Sequence, residues 1–141
     1  MKTINPQKAA LLLLTLLSAA VLWSCDSDDD DERSKFIGRY EVEEQSLETH
    51  SPRDDYEVNI IRDTGSQSLV IISNFYNYDV DVYARVDGNE IFVEEEVHNV
   101  FEFNGSGTLS GTVLTMDYTV TSVSEDTGYF DRLRAEMVRK D

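Results

Sequence analysis

The chain has 141 residues, of which 12 are basic and 28 acidic, for a formal charge of −16. A surface this acidic repels nucleic acid and anionic lipid headgroups, so neither is an expected partner. Cys25 is the one cysteine, which excludes an internal disulfide framework, and with His50 and His98 it offers too few ligands for a zinc site.

At the N-terminus Lys2 and Lys8 accompany an uncharged apolar run, Ala9 to Trp23, shorter than the roughly 20 residues of a transmembrane helix. Such a segment reads as a secretory leader and is set aside before any fold is considered. Leu22-Trp23-Ser24-Cys25 resembles the lipobox of bacterial lipoproteins, in which an aliphatic residue and two small residues precede a cysteine that becomes acylated. Leu22 and Ser24 fit, while Trp23 stands where a small residue is usual. The resemblance implies a signal peptide over residues 1–24 and acyl chains such as palmitate on Cys25, which would anchor the mature chain to a membrane. The alternatives are an ordinary signal cut after Ala20 and an uncleaved anchor.

Next comes an acid run, Asp26 and Asp28 to Glu32, whose charges repel at short range and keep the backbone solvated. Residues 25–35 then form a tether that could span up to roughly 35 Å at about 3.5 Å per residue. Placed beside the lipobox, Ser27-Asp28-Asp29-Asp30-Asp31 resembles the export signal of Bacteroidetes surface lipoproteins. That resemblance implies display on the outer face of the outer membrane. Without it, the run is an acidic spacer or a weak divalent-cation sponge.

From Phe36 to Asp141 the apolar residues recur with period two, the mark of half-buried strands. The sets are Tyr40 and Val42; Tyr56, Val58 and Ile60; Leu69 and Ile71; Val80, Val82, Ala84 and Val86; Ile91 and Val93; Phe101 and Phe103; Leu114, Met116, Tyr118 and Val120; and Leu133, Ala135 and Met137. Turn chemistry separates several of them at Asp63 to Ser66, Asp87-Gly88-Asn89, Ser110-Gly111 and Glu125 to Gly128. Eight short strands and no helical pattern predict an all-β, antiparallel up-and-down barrel over residues 36–141, with a sandwich as the other closure.

Phe36-Ile37-Gly38-Arg39-Tyr40 resembles the Gly-x-Trp opening of lipocalins and related calycin barrels, with Tyr40 in place of Trp. By that resemblance a basic residue of the last strand, Arg132 or Arg134, covers the Tyr40 ring. Phe103 to Val120, "FNGSGTLSGTVLTMDYTV", resembles a Gly-Ser-Gly-Thr-Leu hairpin of small lipocalin-like lipoproteins of Bacteroidetes. Together the two imply a lipocalin-like barrel whose use is binding.

Residue types that carry chemistry are sparse. His50 and His98 read as solvated. Asn77, Asp79 and Asp81 would share a strand face and could meet calcium, but no EF-hand loop follows. Glu41, Glu43, Glu44 and Glu94 to Glu96 read as an outer acidic face. Glu95, Glu102 and Asp117 fall near inward positions by parity, where paired acids could hydrolyse a glycoside; an edge or bulge position is the simpler account. No metal site and no cofactor is expected. The aromatic stretch Phe75-Tyr76-Asn77-Tyr78, with Tyr83 nearby, offers rings that either contact a ligand or partner or cap the barrel end as core.

The expected function is that of a non-catalytic surface lipoprotein, a binding or accessory module for a glycan, a small apolar ligand or a neighbouring outer-membrane protein. The alternatives are a carrier of an apolar ligand inside the barrel and an extracellular glycan hydrolase. Because an eight-stranded barrel is just wide enough to fill with its own side chains, the bulky inward sets predict a filled core, a shallow cup at one end and recognition at the rim.

Overall fold

The computed structural model of the protein describes residues 31–124 and 128–141. The leader, Cys25, Ser27 and Asp28 to Asp30 lie outside the described residues, as do Glu125 to Thr127 of the last expected turn. A 3-10 helix, Glu32–Phe36, precedes eight strands: β1 (Gly38–Ser46), β2 (Tyr56–Arg62), β3 (Leu69–Phe75), β4 (Val80–Asp87), β5 (Glu90–His98), β6 (Phe101–Ser110), β7 (Val113–Ser122) and β8 (Phe130–Lys140). Each pairs antiparallel with the next, and β8 returns to β1 in register from Arg39–Lys140 to Ser46–Leu133. The sheet is a closed up-and-down barrel, an architecture compatible with a lipocalin-like fold, and not a sandwich. Closure leaves no unpaired edge to recruit another strand.

Period two decides which side chains enter. On β4, Val80, Val82, Ala84 and Val86 are buried while Asp81 and Tyr83 face out; β7 and β8 alternate in the same way through Leu114, Met116, Tyr118 and Val120 and through Leu133, Ala135 and Met137. In β3 the parity differs from expectation: Val70 and Ile72 are buried, and Leu69 and Ile71 are only partly covered. Leu69 to Ile72 is apolar throughout, so alternation gives no signal there. A register shift between Ile72 and Phe75, with Asn74 at φ 60°, then turns Phe75 inward. Fully buried aromatic and aliphatic groups fill the interior, among them Tyr40, Phe75, Phe103, Ile60 and Met137. Each such side chain contributes about 1.5–3 kcal/mol on burial.

Antiparallel order sorts the connections onto two ends. The 3-10 helix and the turns at 63–68, 88–89 and 111–112 form a plug end; the connections at 47–55, 76–79 and 99–100, with residues 123–124 and 128–129, form a rim. The plug is anchored by Phe36, which is fully buried. Its carbonyl accepts the Tyr40 hydroxyl at 2.8 Å. Arg33 donates to the carbonyls of Asp63, Ser66 and Leu69, and Glu32 accepts from the Gly88 amide. Residues 32–35, expected as tether, are therefore folded onto the barrel, because Phe36 and Arg33 both find partners there.

The basic residue of the last strand that lies beside Tyr40 is Arg139, whose charge and hydrogen bond reach the Tyr40 hydroxyl, and not Arg132 or Arg134. Arg139 is the residue paired with Tyr40 across β1 and β8, and its guanidinium also donates to the Lys35 carbonyl at 2.8 Å. Arg132 and Arg134 have outward parity on β8.

Gly105 and Gly107 sit inside β6, opposite Tyr118 and Met116 of β7. A Cβ on Gly105 would lie 2.3 Å from the Tyr118 Cβ, and one on Gly107 would lie 2.4 Å from the Met116 Cγ. Only glycine permits this close approach, which sets the position of the Tyr118 side chain.

Candidate functional site

At the rim the inward parity of β1, which buries Tyr40 and Val42, continues to Glu44 and Ser46. Glu44 is only 4% exposed, and it is the one buried carboxylate among the described residues. This corrects its expected place on the outer face: alternation outweighs charge because the barrel supplies partners. Tyr56 of β2 donates its hydroxyl to Glu44 Oε1 at 3.0 Å, and the Tyr118 hydroxyl donates to the same oxygen. Arg53 Nε lies 3.1 Å from Oε2. Oε2 receives no well-directed hydrogen bond, so the Arg53 charge alone holds it. Burial raises the Glu44 pKa above its usual value of 4.5, against the lowering effects of the Tyr118 hydrogen bond, the Arg53 charge and the Tyr56 hydrogen bond; the nearby Asp131 charge adds to the rise. Both phenols are held neutral, chiefly by burial and by the adjacent carboxylate.

Arg53 reaches Glu44 because the connection at 47–55 folds back along β1. Arg53 N donates to the Glu44 carbonyl at 2.8 Å, and Gln45 bridges to Pro52. Ser46 anchors the start of this loop: its Oγ donates to Asp131 Oδ1 at 2.6 Å and accepts the Glu48 and Thr49 amides. The other face of Arg53 lies over the Tyr76 ring, 3.8 Å from its centroid, a cation–π contact.

Tyr76 is the next link. Its backbone has φ 61°, left-handed, in a turn where Asn74, Asn77 and Asp79 are left-handed too. Asn and Asp tolerate that region; a tyrosine there is strained, and such strain persists only when its surroundings over-determine it. Here the ring is buried against Phe101, Phe103 and Tyr118, and its hydroxyl is 2.9 Å from that of Tyr129. Tyr129 leads outward, with its ring 6.0 Å from that of Phe101. Val100, Phe101, Ser122, Ser124 and Tyr129 line an open, mainly apolar groove of about 460 Å³. Around it Tyr78, Val97, Val123 and Phe130 are exposed, Val97 and Phe130 by more than half.

The residues singled out in the sequence separate accordingly. Phe75 is fully buried and meets Phe103 edge-on at 5.4 Å. Tyr76 is the buried hub, and Tyr78 stands at the rim against Phe101 at 5.3 Å. Tyr83 lies elsewhere, exposed on the outer wall opposite Ile71. Asp31 of the expected export signal caps the 3-10 helix and accepts from Arg33 and Arg62 Nε at 2.8 and 2.9 Å; these bonds, Arg33 first, hold its pKa well below the usual carboxylate range. Asn77 and Asp79 lie in the β3–β4 turn and only Asp81 on β4, so the three share no strand face. Glu95 sits exposed at a register shift in β5, and Asp117 faces out in a double hydrogen bond with Arg134. Among the described residues no group of three or more His, Cys, Asp or Glu is placed to hold a metal ion.

Glu44, Arg53, Val100, Phe101 and Tyr129 are the site residues not singled out from the sequence as contacts. Parity from Tyr40 through Ser46 marks Glu44, whereas Arg53 sits in an irregular loop that carries no periodic signal. Set against family models, curated proteins and solved structures, the chain matches none.

Proposed function

We propose that the protein is a non-catalytic binding module, displayed at the outer membrane through lipid on Cys25, whose groove at Val100, Phe101 and Tyr129 receives an apolar segment of a partner protein. The observation that carries this reading is the groove itself with its exposed surround, since contiguous apolar surface on a folded chain marks an interaction site. Its aliphatic and aromatic lining inside an acidic surface follows the anatomy of protein interfaces, apolar at the centre and polar at the margin. Saccharides call for planar polar groups beside a ring, and among the described residues the groove lining offers two serines. The barrel interior, filled with its own side chains, favours the rim over an internal carrier site. Glu44 is already engaged by Tyr56, Tyr118 and Arg53, which favours binding over catalysis.

The test is capture of partners from intact cells by chemical cross-linking, comparing the wild type with Val100→Asp and with Thr115→Asp on the outer wall. The expected result is one discrete adduct, lost in Val100→Asp and kept in Thr115→Asp. Equal adducts in all three chains would sink the reading. The anchor is tested separately: Cys25→Ala should remain unprocessed and unacylated.

A further inference from the structure

We propose that Glu44, Arg53 and Tyr76 form an acid-released latch on the rim groove: ionised Glu44 holds Arg53 against Tyr76, and protonated Glu44 lets it go. This inference rests on the reading of the groove as a recognition surface, and it supplies that surface with a control.

The latch is a contiguous chain of contacts. Glu44 Oε2 attracts Arg53 by charge alone; Arg53 covers the Tyr76 ring and donates to the Tyr76 carbonyl at 3.4 Å; the Tyr76 hydroxyl meets that of Tyr129; and Tyr129 walls the groove. Protonation removes the charge and with it the main reason for Arg53 to stay. A guanidinium with 29% of its side chain already exposed then finds water. The strained backbone of Tyr76 loses one of the contacts that hold it, and Tyr129, whose hydroxyl also reaches Asp131 Oδ2 at 3.4 Å, loses the closer of its two partners. Oε1 keeps both tyrosine donors, so the core beneath the latch remains bonded.

The groups facing Glu44 agree with this order of events. β2 presents Tyr56, β7 presents Tyr118, the 47–55 loop presents Arg53 and β8 presents Asp131. Glu43, Asp55, Arg134 and Glu136 lie around the adjoining surface groove. The phenols stay neutral across the acid range, and the one cation in contact is the one released. Because burial raises the folded-state pKa of Glu44, the fold binds this proton more tightly than the unfolded chain does. The stability contributed by this group is therefore full below its unfolded value near 4.5 and is lost as pH rises through the raised folded value. Acid thus opens the latch while favouring the barrel, which separates local release from acid unfolding.

The experiment is NMR titration of the full chain labelled at glutamate carboxyl carbons, arginine side-chain nitrogens and tyrosine rings. The expected result is loss of the Arg53 Nε–H signal in step with Glu44 titration, at a pH above 4.5, together with a shift of the Tyr129 ring signals and no loss of backbone dispersion. Glu44→Gln keeps an acceptor for both tyrosines, and its spectrum should match the acid form at every pH. It also leaves in place the other charged and polar groups of this end, among them Asp131 beside the Tyr129 hydroxyl and His98, which sits against Phe103 and 3.4 Å from Glu96. Should Glu44→Gln not fold, Arg53→Gln breaks the latch from the solvent side and should make the Tyr129 ring signals independent of pH. An Arg53 signal that stays protected after Glu44 has taken its proton, or a wild-type pH response in either variant, overturns the latch. The groove reading fails separately, if Arg53 and Tyr129 respond as expected while cross-linked adducts persist in Val100→Asp.

Discussion

The two ends of the barrel use charge and apolar surface in opposite ways. At the plug the partly covered charges neutralise one another, Asp31 with both Arg33 and Arg62, while the aromatic anchor Phe36 is fully buried. At the rim a carboxylate is buried and the apolar groups are exposed: Glu44 lies within, and Tyr78, Val97, Val100 and Phe130 without. A plug has only to close the barrel, so it follows the rule that buries rings and pairs the charges it covers. The rim breaks that rule twice within one network, and departures of this kind concentrate where a protein meets something else.

The largest effect that would sharpen the contrast comes from the plug. Phe36→Ala removes its anchor, and we expect a loss of about 3–5 kcal/mol in denaturant unfolding, the range for a fully buried aromatic. A loss below about 1 kcal/mol would mean that the 3-10 helix is not what closes this end. At the rim, Tyr118→Phe should cost about 1–3 kcal/mol at neutral pH, because it leaves the buried Glu44 carboxylate one donor short. That cost should shrink once acid protonates Glu44; a pH-independent cost would mean that the hydroxyl does not serve the ionised form.

A smaller effect separates the ends by pH. Asp31 has its folded pKa lowered, so its contribution is present above its usual value of 3.8 and is lost only as pH falls through the depressed one. For Glu44 the sign is reversed, as derived above. Carboxyl-carbon NMR should show Glu44 taking its proton while Asp31 remains ionised; protonation in the opposite order would break the comparison. Smallest of all, Val100→Asp should change stability by less than about 0.5 kcal/mol, since a half-exposed valine contributes little to the fold. A larger loss would place Val100 in the core.

Much of the barrel was legible because period two is a direct projection of a half-buried sheet. It fails where the pattern carries no contrast, as in the all-apolar Leu69 to Ile72, and where a register shift intervenes, as at Asn74 and Glu95. Only part of the rim was legible. The aromatic stretch announces Tyr76 and Tyr78, and Glu44 lies on the alternation of β1 while its charge points to the outer face. Arg53 and Tyr129 act from connecting segments, where their roles come from tertiary contacts across 23 and 53 residues to or from Tyr76 and no local pattern encodes them. Arg139 shows the same limit: pairing with Tyr40 decides which basic residue lies beside it, and that register emerges only on closure.

The central claim, that recognition occurs at the rim and not at the plug, is tested most directly by a matched pair of photo-cross-linking residues. One replaces Val100 at the rim and the other Ile61 near the plug, two aliphatic positions of similar exposure at 46% and 40%. Each chain is expressed in its own cells, irradiated and resolved by mass. A discrete protein adduct is expected from position 100 and none from position 61. An adduct from position 61 with none from position 100 would contradict the claim.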